Sequence, residues 1–476
     1  MKNRIKKLWI REAGYKELLI IAFPLIIATG IHSIQHFIDR LFLSWYSAEA
    51  IAAAMPASML NFTLLCFFLG IAGYTNTFVS QYNGAKKYKN IGKVIWNGLL
   101  VSLIGGIVVI LFIPFADEIF SFIGHSDAVI KYEVQYFRIV NIGAFPAIAG
   151  TAISGFFSGT NRTKNIMWIS LFAMIVNIVL DYIMIFGNFG FPELGMRGAA
   201  IATVISHTLG FLLYFILINK KEYKKQYNIY FKTRIDYHLF KRFIKYGLPN
   251  GVHFFIELLG FTMFVLIIGR IDLNSLAATN IAFNLNNLIF LPMIGMGITV
   301  TVQSGKYIGA KKIYLAERAT YSGLVIILLY VIPVIGAFLL FPEILINMFS
   351  QKNTTNFDEI RKILFQLIKF MAIYSIFDVF NITFSATLKG AGDTKFIMYV
   401  IAIFSVFLLI IPTFIAVEYF DFNIYYAWTI LTFFVSVLGL AFLFRFKQGK
   451  WKSMNVIEET KHKLINIPME ESFENM

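Results

Sequence analysis

Apolar residues fall along this chain in long blocks separated by short polar or basic stretches. A membrane-spanning helix needs about 20 mostly apolar residues. Twelve blocks meet that length: 16–45, 50–80, 92–116, 132–158, 165–188, 195–218, 244–270, 275–305, 317–342, 361–388, 396–418 and 423–446. The pattern predicts an all-α integral membrane protein with twelve transmembrane helices. The first block is long, ends on polar residues and lacks an A-x-A-like site, so it reads as a span and not as a cleaved leader. Between the sixth and seventh blocks, residues 219–243 are polar and strongly basic. The chain therefore divides into a first lobe over 1–218, a basic linker over 219–243, a second lobe over 244–446 and a solvated polar tail over 447–476.

The two lobes share landmarks. Pro24 recurs as Pro249, Asn61 as Asn286, and Gly84-Ala85-Lys86-Lys87 as Gly309-Ala310-Lys311-Lys312, each 225 positions on. Gly159-Thr160-Asn161 aligns with Gly390-Ala391-Gly392 at an offset of 231, and the polar stretch 351–356 can hold the extra six residues. Each repeat has six spans, an even number, so both enter the membrane the same way round. This is a parallel repeat about a pseudo-two-fold axis along the membrane normal. The cavity between the lobes is the expected site.

Composition agrees with a lipid-facing surface. Of 476 residues, 58% are hydrophobic and only 14% charged, with mean hydropathy +0.69. A soluble domain carries nearer a quarter charged residues, so a soluble enzyme, a disordered chain and a disulfide scaffold are excluded. The single Cys66 permits no internal disulfide. The net charge of +15 could suit nucleic acid, but placement argues otherwise. Of the 42 Lys and Arg, 33 fall at one set of span ends, 8 at the opposite ends, and Arg40 within the first span. Basic residues resist translocation. Both termini are thus expected in the cytoplasm, with membrane lipid and not nucleic acid as the partner.

Four of the 27 acidic residues fall well inside spans: Asp39, Asp181, Glu257 and Asp378. A charge at bilayer depth costs several kcal/mol and usually faces the protein interior on a transport path. Asn177 and Asp181 are four apart and share a helix face, as do Tyr374 and Asp378, while His253 precedes Glu257 by one turn. Two acids belong to each half of the chain, so one acidic site per lobe is expected. Carboxylates, an amide and a phenol are hard ligands for a small cation, and a desolvated carboxylate can also carry a proton. The residues alone do not separate Na⁺ from H⁺.

These stretches resemble the multidrug and toxic compound extrusion (MATE) transporters, from about Gly14 to Phe446. The resemblance is carried by Phe23-Pro24-Leu25-Ile26 with Asp39, by Gln81 with Gly84-Ala85, and by Asn177 through Tyr182. It continues in Phe191-Pro192-Glu193-Leu194-Gly195, Leu248-Pro249 with Glu257, Tyr374 through Asp378, and Lys389-Gly390-Ala391-Gly392-Asp393-Thr394. The pattern is similar to the NorM-type branch. It implies a cation site at Glu257, Tyr374 and Asp378 in the second lobe, and a proton or sodium site at Asp39, Asn177 and Asp181 in the first. It further implies a monomeric antiporter in the bacterial inner membrane, exporting drug-like, amphipathic cations by rocking of two lobes. No cofactor is expected beyond the coupling ion. Two departures are Asn280, where many relatives have Gln, and Lys306, at the repeat position of Gln81.

Other features have two readings. Asn61, Asn280 and Asn284 can line the cavity or bond between helices. His32 and His36, one turn apart, can bind metal but also suit helix packing. The rivals are a lipid-linked oligosaccharide flippase, a channel and an intramembrane enzyme. A flippase calls for several basic residues in its cavity, whereas Arg40 is the only one read deep within a span. An enzyme needs a nucleophile or metal constellation, and neither a zinc-protease motif nor a phosphate-binding loop is present.

Overall fold

A computed structural model describes residues 9–230, 236–349 and 357–458. The stretch 351–356, expected to hold the repeat insertion, and the tail beyond 458 lie outside the described residues. The described residues are helical throughout, without strands. Among the described residues, eleven helices are long and apolar enough to cross a membrane, and a twelfth span is a bent pair, Asp127–Ile142 with Ala144–Gly159. In chain order the spans are Tyr15–Tyr46, Ala48–Gly84, Lys89–Ile123, the bent pair, Thr163–Phe186, Met196–Ile218, Tyr237–Ile268, Leu273–Gly309, Ile313–Leu340, Phe357–Ala391, Thr394–Glu418 and Ile424–Lys447.

Local chemistry explains where several spans begin and bend. Ser47 Oγ accepts from the Ala50 amide (2.9 Å), so only one residue separates the first two spans. Asp272 caps the eighth span at the Ser275 amide (2.7 Å). A side-chain oxygen here satisfies an amide that has no partner within the helix. The seventh span starts at Tyr237, earlier than the hydropathy pattern suggests, because Asp236 accepts from the Leu239 amide (3.2 Å). The fourth span bends by 47°. The eleventh contains a π-helical turn at Ser405–Ile410.

Helix contacts sort into two bundles with matching internal pairings. The first span packs on the fifth, and the seventh on the eleventh; the second packs on the fourth, and the eighth on the tenth. Between bundles the pairing is reciprocal: first on eighth, seventh on second. Glycines set the closest approaches. A methyl at Gly84 would meet the Lys306 carbonyl, and one at Gly309 would meet the Gln81 carbonyl. These are the same contact seen from the two repeats. Likewise a Cβ at Gly70 would lie 2.7 Å from the Gly251 Cα, and one at Gly295 would lie 2.8 Å from the Ile26 Cα. Lys86 and Lys311, also repeat partners, both take left-handed backbone (φ 58° and 59°) as their helices end. The 225-residue offset is therefore a two-fold relation in space.

The bonds between bundles are confined to one side. Glu17 accepts from Lys306 Nζ (3.1 Å), Tyr307 OH (2.9 Å) and Gln303 Nε2 (3.3 Å) across the seam. Tyr74 OH donates to the Lys389 carbonyl (2.8 Å), Asn250 Nδ2 to Gly70 (2.7 Å) and Lys93 Nζ to Asp236 (3.1 Å). The deepest such bond joins Thr29 Oγ1 to the Leu291 carbonyl (3.2 Å). Among the described residues, no hydrogen bond or ion pair joins the bundles between there and the ends that carry few basic residues. The tail also differs from expectation. Trp451, Val456 and Ile457 are buried, because apolar side chains in a polar stretch find a groove at the basic ends.

Candidate cation and substrate sites

In the first bundle, Asp39 comes from the first span, and Asn177 and Asp181 from the fifth. Helical spacing places Asn177 and Asp181 on the face that meets the first span, and both are fully buried. With its amide nitrogen turned toward the acids, Asn177 donates to Asp39 Oδ1 (3.0 Å) and Asp181 Oδ2 (3.3 Å). One amide thus bridges two carboxyl groups from different helices, and the two carboxyls also lie within hydrogen-bonding reach of each other. Two carboxylates this close repel unless they share a proton or hold a cation between them. The cluster can take up one positive charge.

Sequence reasoning missed its other members. The Gln35 side chain, buried, lies 3.1 Å from the same Asn177 nitrogen. Gln35 precedes Asp39 by four residues, a spacing that could have drawn it in. Tyr136, from the fourth span, stands in the field of both acids; nothing in its local sequence marks it. His36 Nδ1 lies 3.9 Å from Asp39 Oδ2, with His36 well exposed and Asp39 only 13% exposed. His32 and His36 also lie near His207 of the sixth span. Among the described residues, no cluster of three His, Cys, Asp or Glu has the geometry to hold a metal ion.

In the second bundle the structure brings Glu257 near Asp378, and Asp378 near Tyr374. Asp378 is 9% exposed and accepts from Asn381 Nδ2 (2.9 Å), one turn along the tenth span. Glu257, a third exposed, has His253 Nε2 at 3.6 Å. The Tyr374 ring packs by Trp428 at 6.3 Å between centroids, and Trp428 Nε1 donates to Thr279 Oγ1 (3.2 Å). One finding revises the placement of basic residues. Lys389, counted above among the span ends, comes within electrostatic reach of Glu257 and His253. A long side chain on the last turn of the tenth span can reach inward, which its position in the sequence does not reveal. Arg40 is therefore not the sole basic group inside the bundle.

The three asparagines have separate environments. Asn61 Nδ2 donates to Asn141 Oδ1 (2.6 Å), an interhelical bond within the first bundle. Asn284 is exposed and donates to the Asn280 carbonyl (2.8 Å). Residues 280, 284, 287, 291 and 295 form one helical stripe. Leu291 and Gly295 on that stripe meet Thr29 and Ile26 of the first span. Asn280 and Asn284 continue it past the last interbundle bond.

The MatE family model matches residues 24–183 and 249–415, which cover the first five spans of each repeat. The chain belongs to the MatE family. Its members are multi-span membrane transporters, not enzymes. Among curated relatives, the chain is 25% identical to a probable multidrug resistance protein NorM of Thermotoga maritima, over 97% of this chain and 98% of that one. It is 26% identical to one of Neisseria meningitidis serogroup B, over 89% and 92%. Among solved structures, an outward-facing conformation of a multidrug resistance MATE family transporter of the MOP superfamily superposes with a TM-score of 0.84, at 19% identity over 94% of this chain and 98% of that one. The eukaryotic MATE transporter AtDTX14 superposes at 0.83, with 18% identity over 92% and 96%. These likenesses support the fold.

Proposed function

We propose that this chain is a cation-coupled antiporter that exports drug-like organic cations by alternating access. The observation that carries the reading is the pair Asp39 and Asp181, bridged by Asn177 inside an apolar bundle. An intramembrane acid pair has little structural value for its cost, whereas it is suited to taking up one Na⁺ or H⁺. A bound cation drives export only if it favours one arrangement of the lobes over the other. The first-bundle pair spans two helices, so neutralising it changes how those helices pack.

The second site divides the work. Glu257 and Asp378 form an anionic patch beside the cleft that either a coupling ion or an organic cation can neutralise. Lys389 sits close enough to compete for Glu257. Tyr374 and Trp428, both buried, pack behind this patch. The NorM relatives are named for multidrug resistance, which fits this chemistry. By the positive-inside rule the bonded basic seam is cytoplasmic, so the arrangement described here opens outward. The chain then resides in the cell membrane, as a monomer, with both termini inside. An oligosaccharide flippase, the nearest rival, calls for several cationic side chains in the cleft, and Lys389 with Arg40 makes a poor set for holding pyrophosphate.

The test is drug resistance in cells expressing Asp378→Asn at the wild-type level. The reading predicts loss of resistance. Wild-type resistance in that variant would sink the assignment of the second site.

A further inference from the structure

After the twelfth span the chain turns at Gly449 (φ +73°) and crosses the basic ends of both bundles. Its first residues anchor to the second bundle. The Trp451 ring stacks on Phe446 at 5.1 Å, its Nε1 donates to the Phe446 carbonyl (2.9 Å), and Lys452 Nζ pairs with Glu317 (2.8 Å). Five residues after Trp451, the chain reaches the seam. The seventh span still holds it there, through Tyr246 OH to the Asn455 carbonyl (3.4 Å) and Arg242 to Glu458 (3.1 Å), and there it also plugs into the first bundle. Val456 and Ile457 are buried in the apolar cluster that holds Phe78, Val79 and Tyr82. The Val456 amide donates to Gln81 Oε1 (2.9 Å), and Lys87 Nζ donates to the Glu458 carbonyl (2.7 Å). Gln81 is fully buried and uses both ends of its amide: Nε2 donates to the Gly390 carbonyl of the tenth span (2.8 Å). One side chain of the first bundle thus joins the second bundle and the segment that follows it.

We propose that Lys450–Glu458 is a strap that holds the basic ends of the two bundles together, and that it must release Gln81 before those ends can part. The proposal rests on the alternating-access reading. Contacts made in only one arrangement bias the equilibrium toward it by their own free energy. A buried amide left without partners is costly, so Gln81 favours full engagement or full release.

The test uses full-length protein with spin labels at the exposed positions Lys89→Cys and Lys395→Cys, which report the separation of the basic ends. Val456→Pro removes the donor to Gln81 but keeps an apolar side chain, Val456→Ala keeps the donor, and a chain ending at Asn455 removes the plug. Loss of one buried hydrogen bond should raise the ratio of long to short distances roughly 3- to 10-fold. We expect that change in Val456→Pro, a larger one on truncation, and a smaller one in Val456→Ala. Folded Val456→Pro and truncated proteins with the wild-type ratio would overturn the strap. If the wild type then shows two distances that respond to Na⁺ or pH, alternating access survives without it. A single distance in every variant and condition would remove both.

Discussion

Replacing Gly84 by alanine tests the seam between the repeats. The new methyl would fall 2.8 Å from the Lys306 carbonyl carbon and 3.1 Å from the Ala310 nitrogen, and nearer still to the carbonyl oxygen. Carbon atoms pack comfortably at about 3.5–4.0 Å. The obstructing atoms are backbone, so no side-chain rotation relieves the clash and the two spans have to move apart. Overpacking of this kind costs about 1–3 kcal/mol, which corresponds to roughly a 5- to 150-fold change in an equilibrium. The penalty applies only to the arrangement in which these ends touch. Purified Gly84→Ala protein, labelled at Lys89→Cys and Lys395→Cys, should therefore shift toward the longer distance in pulsed EPR. Gly309→Ala is the matched experiment, because its methyl would lie 2.7 Å from the Gln81 carbonyl carbon. The two-fold relation predicts shifts of the same sign and similar size in both variants. Either variant with the wild-type distances and an unchanged Tm would refute the close approach. Opposite shifts would refute the symmetry.

Two further predictions follow from side-chain contacts. Asn177→Leu removes the bridging amide while filling its space, so export driven by a cation gradient should fall at least about tenfold, with stability lowered by about 1–3 kcal/mol for the polar groups left unpaired; efflux and Tm on the same preparation check it. Asp236→Ala removes the cap on the seventh span and should cost about 0.5–2 kcal/mol, while Asp236→Asn, which keeps an acceptor, should cost less. The Leu239 amide, with Lys93 next, holds the Asp236 carboxyl below its ordinary value of 3.8. A depressed value means the stabilisation is present above the unfolded-state pKa and is lost as pH falls through the folded one. The Tm gap between wild type and Asp236→Ala should accordingly be full at neutral pH and close on acidification below about 4.

Features with a linear signature were readable from the chain. Span count follows from hydropathy, and the repeat follows from Pro24 with Pro249 and Gly84 with Gly309. Asn177 and Asp181 declare themselves by an interval of four. What the chain does not encode locally is proximity between distant helices. The reciprocal glycine contacts depend on Lys306 and Gln81 lying opposite one another across the seam. Tyr136 joins the first-bundle acids only because the fourth span packs beside them. Lys389 illustrates a different limit: its Cα position marks it as a span-end residue, yet its side chain is long enough to bring its charge toward Glu257. The burial of Trp451 and Val456 was hidden by the polar company they keep in sequence. The 47° bend of the fourth span lies at Gly143, three residues before Pro146, which has no amide hydrogen to give the Ile142 carbonyl, so this feature too had a signature in the chain.

The central claim is that cation uptake by buried carboxylates drives export. The most direct measurement is dye transport in proteoliposomes with Na⁺ and H⁺ gradients imposed separately, for wild type, Asp39→Asn and Asp378→Asn. We predict that at least one gradient accelerates wild-type transport and that each substitution abolishes the acceleration. Wild-type transport that ignores both gradients would contradict the account, as would full gradient dependence in both variants.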